Sequence, residues 1–199
     1  CPERMHMNSP SFIYKVCVIG DGGVGKSSAV RRFSQGIFSE EYQVTVGVQH
    51  STQIIQIDSP EGPTDVKVIV WDLGGQDKFK FVRPMFYRSA RGIVLMFDIT
   101  NRESFEALPR WIKEAEDGIG KSVPMVLAAN KFDLPDHAVC LDELKAFGEE
   151  IGAESIVMSV KTGDNVQNMF KMLGTVVYEA RALEVPSASA NSSIYRVIS

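Results

Sequence analysis

Residues 20–27 read Gly20-Asp21-Gly22-Gly23-Val24-Gly25-Lys26-Ser27 and directly follow the apolar run 12–19. The stretch matches the complete phosphate-loop pattern G-x-x-x-x-G-K-[ST]. A strand that turns sharply into a helix directs backbone N–H groups and the positive end of the helix dipole at one point, which favours an anion there. The stretch therefore predicts a phosphate loop rather than a glycine-rich turn of purely structural use.

The parts of the predicted phosphate loop (residues 20–27) have separate chemical tasks. Its glycines keep side chains away from the bound anion and permit backbone conformations with positive φ. Lys26 is predicted to reach the outer phosphates, and the Ser27 hydroxyl to ligate Mg²⁺. Ser28, the next residue, completes the set expected to contact the ligand.

Length and composition restrict the class of protein. The chain has 199 residues, 44% of them hydrophobic and 23% charged, which suits one well-buried α/β domain. A net charge of −4 gives no basic surface for nucleic acid or anionic lipid. No apolar stretch resembles a signal peptide or a membrane span, so we expect a soluble cytoplasmic protein, associated with membranes at most peripherally through partners. The three cysteines lack C-x-x-C spacing and are expected to be reduced.

Strand-like and helix-like stretches alternate along the chain, which is typical of a mostly parallel sheet with helices on both faces. We predict six strands, one of them an antiparallel edge strand, with a generous hairpin loop over 58–65. Residues 1–11 and 183–199 are expected to be flexible, leaving 12–182 as the folded domain. The predicted strands are 12–19, 48–58, 66–72, 92–98, 123–129 and 155–159, and the predicted helices are 25–35, 77–89, 102–117, 141–151 and 163–182.

The next chemical signal lies at the end of the third predicted strand and directly after it, in Asp72, Gly75 and Gln76. Asp72 stands at the carboxyl end of that strand, where open α/β sheets bind ligands, and is predicted to hold Mg²⁺ through a water. Gly75 offers a backbone N–H to a γ-phosphate, and Gln76 is able to orient an attacking water. A lone D-x-x-G is frequent by chance, but its position after a phosphate loop favours a nucleotide site.

The base of the nucleotide is indicated by Asn130-Lys131-Phe132-Asp133, which follows an apolar run. The Asp133 carboxylate is able to accept hydrogen bonds from the N1–H and 2-amino groups of guanine, a donor pair that adenine lacks. Discrimination of roughly 10⁴-fold or more is plausible, because these donors are costly to leave unpaired in a closed site. By itself the motif is equally compatible with a capping aspartate and a solvated lysine.

A second base-contacting loop is predicted at Ser159-Val160-Lys161. The Val160 N–H is placed to meet the guanine carbonyl, and the Lys161 stem to cover a ring face. A polar turn before the last helix is the alternative for this stretch.

Together these motifs resemble the Ras superfamily of small GTPases over residues 12–181, and within it the Rab-like proteins. The segment Trp71-Asp72-Leu73-Gly74-Gly75-Gln76-Asp77-Lys78 is instead similar to Arf proteins. The segments that carry the Rab resemblance are Tyr42-Gln43-Val44-Thr45-Val46-Gly47-Val48, Pro84-Met85-Phe86-Tyr87-Arg88-Ser89-Ala90, Phe97-Asp98-Ile99-Thr100 with Ser104-Phe105, and Ser159-Val160-Lys161-Thr162-Gly163-Asp164-Asn165-Val166.

The resemblance implies a P-loop GTPase domain that switches with bound GTP or GDP and Mg²⁺. Thr45 would then ligate Mg²⁺ in the GTP form, and Phe38 would lie across the guanine. The segments 38–47 (the first loop) and 74–87 (the second loop) would meet a GTPase-activating protein, an exchange factor and effectors. The partner surface would include His50, Trp71 and Phe86, although His50 alone could be a solvated strand residue. A monomer is expected.

Residues 36–45 contain no arginine, so the chain shows no built-in arginine finger. Such a finger accelerates hydrolysis by about 10³- to 10⁵-fold, and slow intrinsic turnover is therefore expected, with Lys26 and Gln76 as catalytic residues. No cysteine for prenylation occurs in 183–199, which leaves membrane association undecided. A guanine-nucleotide scaffold that does not cycle remains an alternative, and a small-molecule kinase would need a lid that we do not find.

Overall fold

The computed structural model describes residues 12–38, 47–76 and 79–184. The described residues form one six-stranded sheet with the order β2-β3-β1-β4-β5-β6, in which only β2 runs antiparallel to its neighbour. The predicted sheet is thus confirmed. The strands are β1 Phe12–Ile19, β2 Val48–Ser59, β3 Gly62–Leu73, β4 Gly92–Asp98, β5 Met125–Asn130 and β6 Glu154–Val157, and the helices are α1 Lys26–Gln35, α2 Arg83–Tyr87, α3 Arg102–Glu106, α4 Leu108–Ile119, α5 Leu141–Ile151 and α6 Val166–Glu184.

Two hydrophobic clusters cover the two faces of the sheet. Side chains of β1 alternate between them: Val16 and Val18 pack toward α1 and α6, whereas Cys17 and Ile19 pack toward α4 and α5. Strands β4 and β5 are buried along their whole length. This double burial is typical of parallel strands with helices on both sides, as predicted.

The hairpin prediction is wrong in its detail, because β2 and β3 are joined by a tight turn and not by a generous loop. The ladder continues to the pair Ser59 and Gly62, leaving only Pro60 and Glu61 between the strands. Gly62 has φ 110°, a conformation that glycine adopts without steric cost. The Ser59 hydroxyl also hydrogen-bonds to the Glu61 carboxylate at 2.9 Å. The predicted loop 58–65 was therefore too long, because residues of turn-forming type at both of its ends are paired in the two strands.

Prolines shorten two predicted helices. Pro84 lies in the first turn of α2, which spans only Arg83–Tyr87, although part of the predicted helix, residues 77 and 78, lies outside the described residues. The predicted helix 102–117 is divided at Ala107, because Pro109 lies in the first turn of a new helix, α4. A proline ring fits the first turn of a helix but clashes with the carbonyl four residues earlier in a helix interior.

The last helix begins three residues later than predicted and extends to Glu184. Residues 162–165 form a turn in which Gly163 and Asn165 have positive φ. The predicted flexible tail 183–199 therefore starts too early, because residues 183 and 184 belong to α6. The predicted flexible segment 1–11 and residues 185–199 lie outside the described residues. Among the helices that the structure describes, none combines the length and the apolar character needed to cross a bilayer.

Candidate functional site

The phosphate loop leaves the central strand of the sheet at its carboxyl edge. Strand β1 lies between β3 and β4, and its residue Val18 is paired in register with Asp72 of β3. The predicted Mg²⁺ carboxylate is consequently next to the strand that delivers the phosphate loop. Asn130 ends β5 at the same edge. Parallel pairing thus brings together residues that are more than 100 positions apart.

Lys26 occupies the centre of the phosphate loop. Its side chain is buried, 6% exposed, and its Nζ donates to the carbonyls of Gly20 at 2.8 Å and Asp21 at 2.6 Å. Burial lowers the pKa of Lys26 to about 8, although the charges of Asp72 and Asp21 act in the opposite direction. The ammonium group is therefore held within the loop, and the nearby negative charges of Asp72 and Asp21 do not fully offset the cost of burying it.

Two glycines of the site leave no room for a side chain. Gly25 has φ 104°, and a Cβ built there would lie 2.2 Å from Asn130 Nδ2. A Cβ on Gly75 would lie 2.5 Å from the Gly20 carbonyl oxygen and 2.6 Å from Lys26 Nζ. The second loop therefore packs its backbone at Gly75 directly against the phosphate loop.

Asn130 joins the phosphate loop to the predicted base-binding loop. Its buried side-chain amide donates to the Val24 carbonyl at 2.8 Å and accepts from the Val160 N–H at 3.0 Å. Val160 N–H, predicted to contact the guanine carbonyl, thus already has an acceptor inside the protein. Asn130 is in this structure a residue that positions two loops.

The Asp133 carboxylate is oriented by the loop that follows β6. Ser159 is 2% exposed, and its hydroxyl donates to Asp133 Oδ1 at 2.6 Å while accepting from the Thr162 N–H at 3.1 Å. A carboxylate has about four lone-pair sites, so further donors can still bind to Asp133. The structure thus brings the two predicted base motifs into contact.

Lys131 adopts a backbone conformation that is rare for a residue with a side chain. Its φ is 66°, and its Nζ pairs with Asp98 Oδ2 at 2.5 Å. A left-handed conformation costs a non-glycine residue about 1–2 kcal/mol. Lys161, the other predicted lysine of the base site, is exposed.

The donor set fits a magnesium ion that also binds phosphate. Asp72 is 1% exposed at the carboxyl end of β3, and Ser27 lies in the first turn of α1, which follows the adjacent strand β1. Within 12–38, 47–76 and 79–184, no three His, Cys, Asp or Glu side chains form a cage for a metal ion. Mg²⁺ is usually bound through one or two protein oxygens plus phosphates and waters, which is the set available here. Thr45, the remaining predicted ligand, lies outside the described residues.

The remaining predicted residues are Phe38 for the guanine, Gln76 for the attacking water, and three aromatic residues for partners. Phe38, predicted to cover the guanine, is half-buried and packs against the cluster under α1 and α6. His50 stacks on Trp71 at 5.2 Å between ring centroids, and Trp71 lies 5.6 Å from Phe86. The three aromatic rings therefore form one continuous surface. The Gln76 side chain is half-buried.

Sequence reasoning missed the groups that fasten these loops to α4. Asp21 Oδ1 accepts from Trp111 Nε1 at 2.7 Å and from Arg110 at 3.0 Å. Arg83 pairs with Glu114 at 2.6 Å. These partners are 31 to 90 residues apart in the chain, and no local pattern marks them.

The Ras family model matches residues 15–179 of this chain. Human Ras-related protein Rab-30 is 36% identical over 179 residues, covering 89% of this chain and 86% of its own length. Ras-related protein RABA4b of Arabidopsis thaliana is 36% identical, covering 84% of this chain and 73% of its own length. Ras-related protein RGP2 of Oryza sativa subsp. japonica is 36% identical, covering 92% and 84% respectively. The residues matched by the Ras family model include all four motifs of the site.

Proposed function

This chain belongs to the Ras family of small GTPases, with Rab-like relatives, and we propose that it is a guanine-nucleotide switch whose two loops change conformation with bound GTP. Family members hydrolyse GTP. The observation that carries the proposal is the Asn130 bridge, which joins a complete phosphate loop to the loop that orients Asp133. One amide thus couples phosphate binding to recognition of the base.

Guanine is the proposed base because of the chemistry of Asp133. Its carboxylate accepts the N1–H and the 2-amino group, and the bond from Ser159 holds it in one orientation. Adenine offers no such pair of donors. Binding adenine would leave a carboxylate desolvated without compensation, which costs several kcal/mol, about 10³-fold or more in affinity. Lys131 and Lys161 complete the proposed base site, with Phe38 as the predicted cover.

Phosphate binding is assigned to the backbone of residues 20–25 and to Lys26, Ser27 and Ser28. Lys26 would exchange its bonds to the Gly20 and Asp21 carbonyls for bonds to the β- and γ-phosphates. Ser27, Asp72 and Thr45 would hold Mg²⁺. The ion supplies neutralisation of phosphate charge when it is bound.

Hydrolysis is proposed to depend on Gln76, which orients the attacking water, while Lys26 and the loop amides stabilise negative charge on the phosphates. The Gly75 N–H and Thr45 would contact the γ-phosphate only in the GTP form. Loss of that phosphate would release the first and second loops and change the surface offered to partners. Turnover is expected to be slow until a GTPase-activating protein supplies an arginine.

The proposed partners are an activating protein, an exchange factor and effectors that contact the two loops and the aromatic surface of His50, Trp71 and Phe86. The Rab-like relatives favour a role in intracellular trafficking or signalling. The protein is proposed to act as a cytoplasmic monomer that reaches membranes through partners.

The experiment that tests the proposal compares purified wild-type protein with Asp133→Asn and Gln76→Leu. Wild type should bind GDP at least about 10³-fold more tightly than ADP. Asp133→Asn should shift the preference toward xanthosine diphosphate, whose base has a carbonyl where guanine has the 2-amino group. Gln76→Leu should retain GDP affinity and slow the single-turnover hydrolysis of GTP.

Limited proteolysis with GDP and with a nonhydrolysable GTP analogue completes the test. Cleavage within 38–47 and 74–87 should differ between the two nucleotides. Identical cleavage would favour a static scaffold, and a preference for ADP would overturn the proposal.

A further inference from the structure

Arg83 is buried although apolar side chains close to it in the chain are exposed. It is 2% exposed, whereas Phe81, Val82 and Met85 are 91%, 41% and 66% exposed. The usual pattern is therefore reversed around α2, with apolar side chains outside and an arginine inside. Burying a charge is costly unless the charge is paired and hydrogen-bonded, so the partners of Arg83 must explain its position.

All three guanidinium nitrogens have acceptors. Nε donates to Glu114 Oε1 at 2.6 Å and Nη2 to Glu114 Oε2 at 2.7 Å, which is the two-pronged geometry of strong arginine–carboxylate pairs. Nη1 donates to the carbonyls of Gly74 at 3.1 Å and Gln76 at 3.0 Å. The guanidinium carbon lies 4.5 Å from the centre of the Trp111 ring.

The Glu114 carboxylate that pairs with Arg83 is held in place by a further hydrogen bond. Tyr87 donates its hydroxyl to Glu114 Oε1 at 2.8 Å. Burial alone would raise the pKa of Glu114, but the bonds from Arg83 and Tyr87 outweigh it and lower the pKa. The carboxylate thus stays charged opposite the guanidinium.

The partners of Arg83 connect the phosphate loop to the water-orienting residue. Trp111, whose ring faces Arg83, donates from Nε1 to Asp21 Oδ1 of the phosphate loop. On its other side Arg83 takes the two carbonyls that flank Gly75 in the second loop. A chain of contacts from Gln76 through Arg83 and Trp111 of α4 to Asp21 therefore helps to fix the position of Gln76 relative to the phosphate loop.

An ion pair that only joined α2 to α4 would not need these carbonyls. A salt bridge of that kind is often replaceable by apolar side chains of similar volume at little cost in stability. Arg83 Nη1 instead donates to the backbone carbonyls of Gly74 and Gln76, the residues on either side of Gly75, which is predicted to contact the γ-phosphate.

We propose that Arg83 is a positioning residue for GTP hydrolysis, holding the backbone of Gln76 in register with the phosphate loop through Glu114 and Trp111. This inference rests on the proposed function, in which Gln76 orients the attacking water. In this proposal Arg83 acts through the Gln76 backbone, to whose carbonyl it donates, and has no role of its own in the chemical step.

The test measures single-turnover hydrolysis of bound GTP and, separately, the affinity for GDP. In Arg83→Met the hydrolysis rate constant should fall about 10-fold or more, because a small displacement of a reacting group is costly, while GDP affinity should change less than about 3-fold. Arg83→Lys keeps the charge but cannot form the two parallel hydrogen bonds to Glu114, so its hydrolysis rate constant should lie between those of wild type and Arg83→Met. Arg102→Met is the matched control, since Arg102 also pairs with two glutamates but lies on the exposed surface, and it should hydrolyse GTP like wild type.

A double variant separates positioning from a general loss of structure. If Arg83 acts through Gln76, adding Arg83→Met to Gln76→Leu should slow hydrolysis no further. An additive loss, an unchanged rate in Arg83→Met, or equal falls in rate and GDP affinity would each overturn the inference. If Arg83→Met does not fold, Glu114→Gln and Arg83→Lys carry the same comparison. Absence of GTP hydrolysis by the wild-type protein would instead overturn the proposed function.

Discussion

The two buried cations near the phosphate loop, Lys26 and Arg83, differ in how their charge is compensated. Arg83 faces the Glu114 carboxylate, and although burial alone would lower its pKa, the hydrogen bonds and charge of Glu114 raise it. Lys26 has carbonyls as its hydrogen-bond acceptors, and burial lowers its pKa to about 8. Arg83 is thus suited to hold a fixed structure, whereas Lys26 is suited to receive an anionic ligand.

The lowered pKa of Lys26 predicts that nucleotide binding takes up a proton. With a pKa of about 8, the free Lys26 is mostly charged at pH 7, about half charged at pH 8 and largely neutral well above pH 8. Bound phosphates favour the charged form and raise the pKa, so affinity should be insensitive to pH below 8 and fall as the pH rises above 8. Titration calorimetry of GDP with Mg²⁺, in buffers of different ionisation enthalpy, should find little uptake at pH 7 and about half a proton at pH 8.

Lys113→Gln is the control for this prediction, because Lys113 is an exposed lysine whose ion pair is with Asp117, four residues along its helix. It should leave the proton uptake unchanged. The prediction fails if wild-type protein binds GDP at pH 8 without taking up a proton.

At the scale of elements, the site depends on chain-distant loops that meet at one sheet edge. Strands β1, β3 and β5 each end there, and the loop after β6 closes the group through Asn130 and Asp133. Gly74 N–H also donates to the Gly47 carbonyl at 3.2 Å, which joins the end of the first loop to the start of the second. The described end of the first loop is thus in direct contact with the second loop.

Replacing Asn130 with Ala should speed the release of GDP. The change leaves the buried Val24 carbonyl and Val160 N–H without their present partner, at a cost of about 1–3 kcal/mol per group. If this cost falls mainly on the nucleotide-bound form, the GDP dissociation rate constant should rise about 10- to 100-fold. Stopped-flow displacement of a fluorescent GDP analogue measures it.

Asn168→Ala is the matched control, since Asn168 is exposed and its side-chain amide donates to Asn165 Oδ1 in the turn that precedes α6, away from the nucleotide motifs. A dissociation rate in Asn130→Ala equal to that of this control would show that the bridge does not hold the nucleotide site together.

Elements were well predicted where the evidence was local. Apolar runs located all six strands, while Pro84 and Pro109, which shorten or divide helices, were given too little weight. The hairpin loop was overestimated because Pro60 and Gly62 mark a turn without revealing how far the flanking residues pair. Pairing is set by the partner strand, which local composition does not report.

For the whole molecule, the core under α1 and α6 carries the phosphate loop on one face of the sheet. Phe33 of α1 and Phe170 of α6 stack with centroids 4.0 Å apart, and Phe170 is fully buried. Ala29 and Val30 of α1 belong to the same cluster. The helix that begins at Lys26 is therefore fixed from behind by the last helix of the chain.

Phe170→Ala should destabilise the whole domain. Removing a buried phenylalanine costs about 3–5 kcal/mol through lost burial and the cavity that remains. Thermal unfolding at a fixed GDP concentration should show a melting temperature lower by roughly 6–20 °C, at about 2–4 °C per kcal/mol for a domain of this size. Glu179→Ala, an exposed change on the same helix, should melt close to wild type. Equal melting of the two variants would contradict this account of the core.

The sequence by itself determined the ligand class, the alternation of strands and helices, and the residues of the phosphate and base motifs. These features depend on runs of adjacent residues whose chemistry or periodicity is visible in the chain. Only the tertiary structure decided that Asn130 bridges two loops, that Asp21 is fastened to Trp111, and that Arg83 holds the Gln76 backbone. Those contacts join groups far apart in the chain, and their geometry exists only after the sheet and helices have packed.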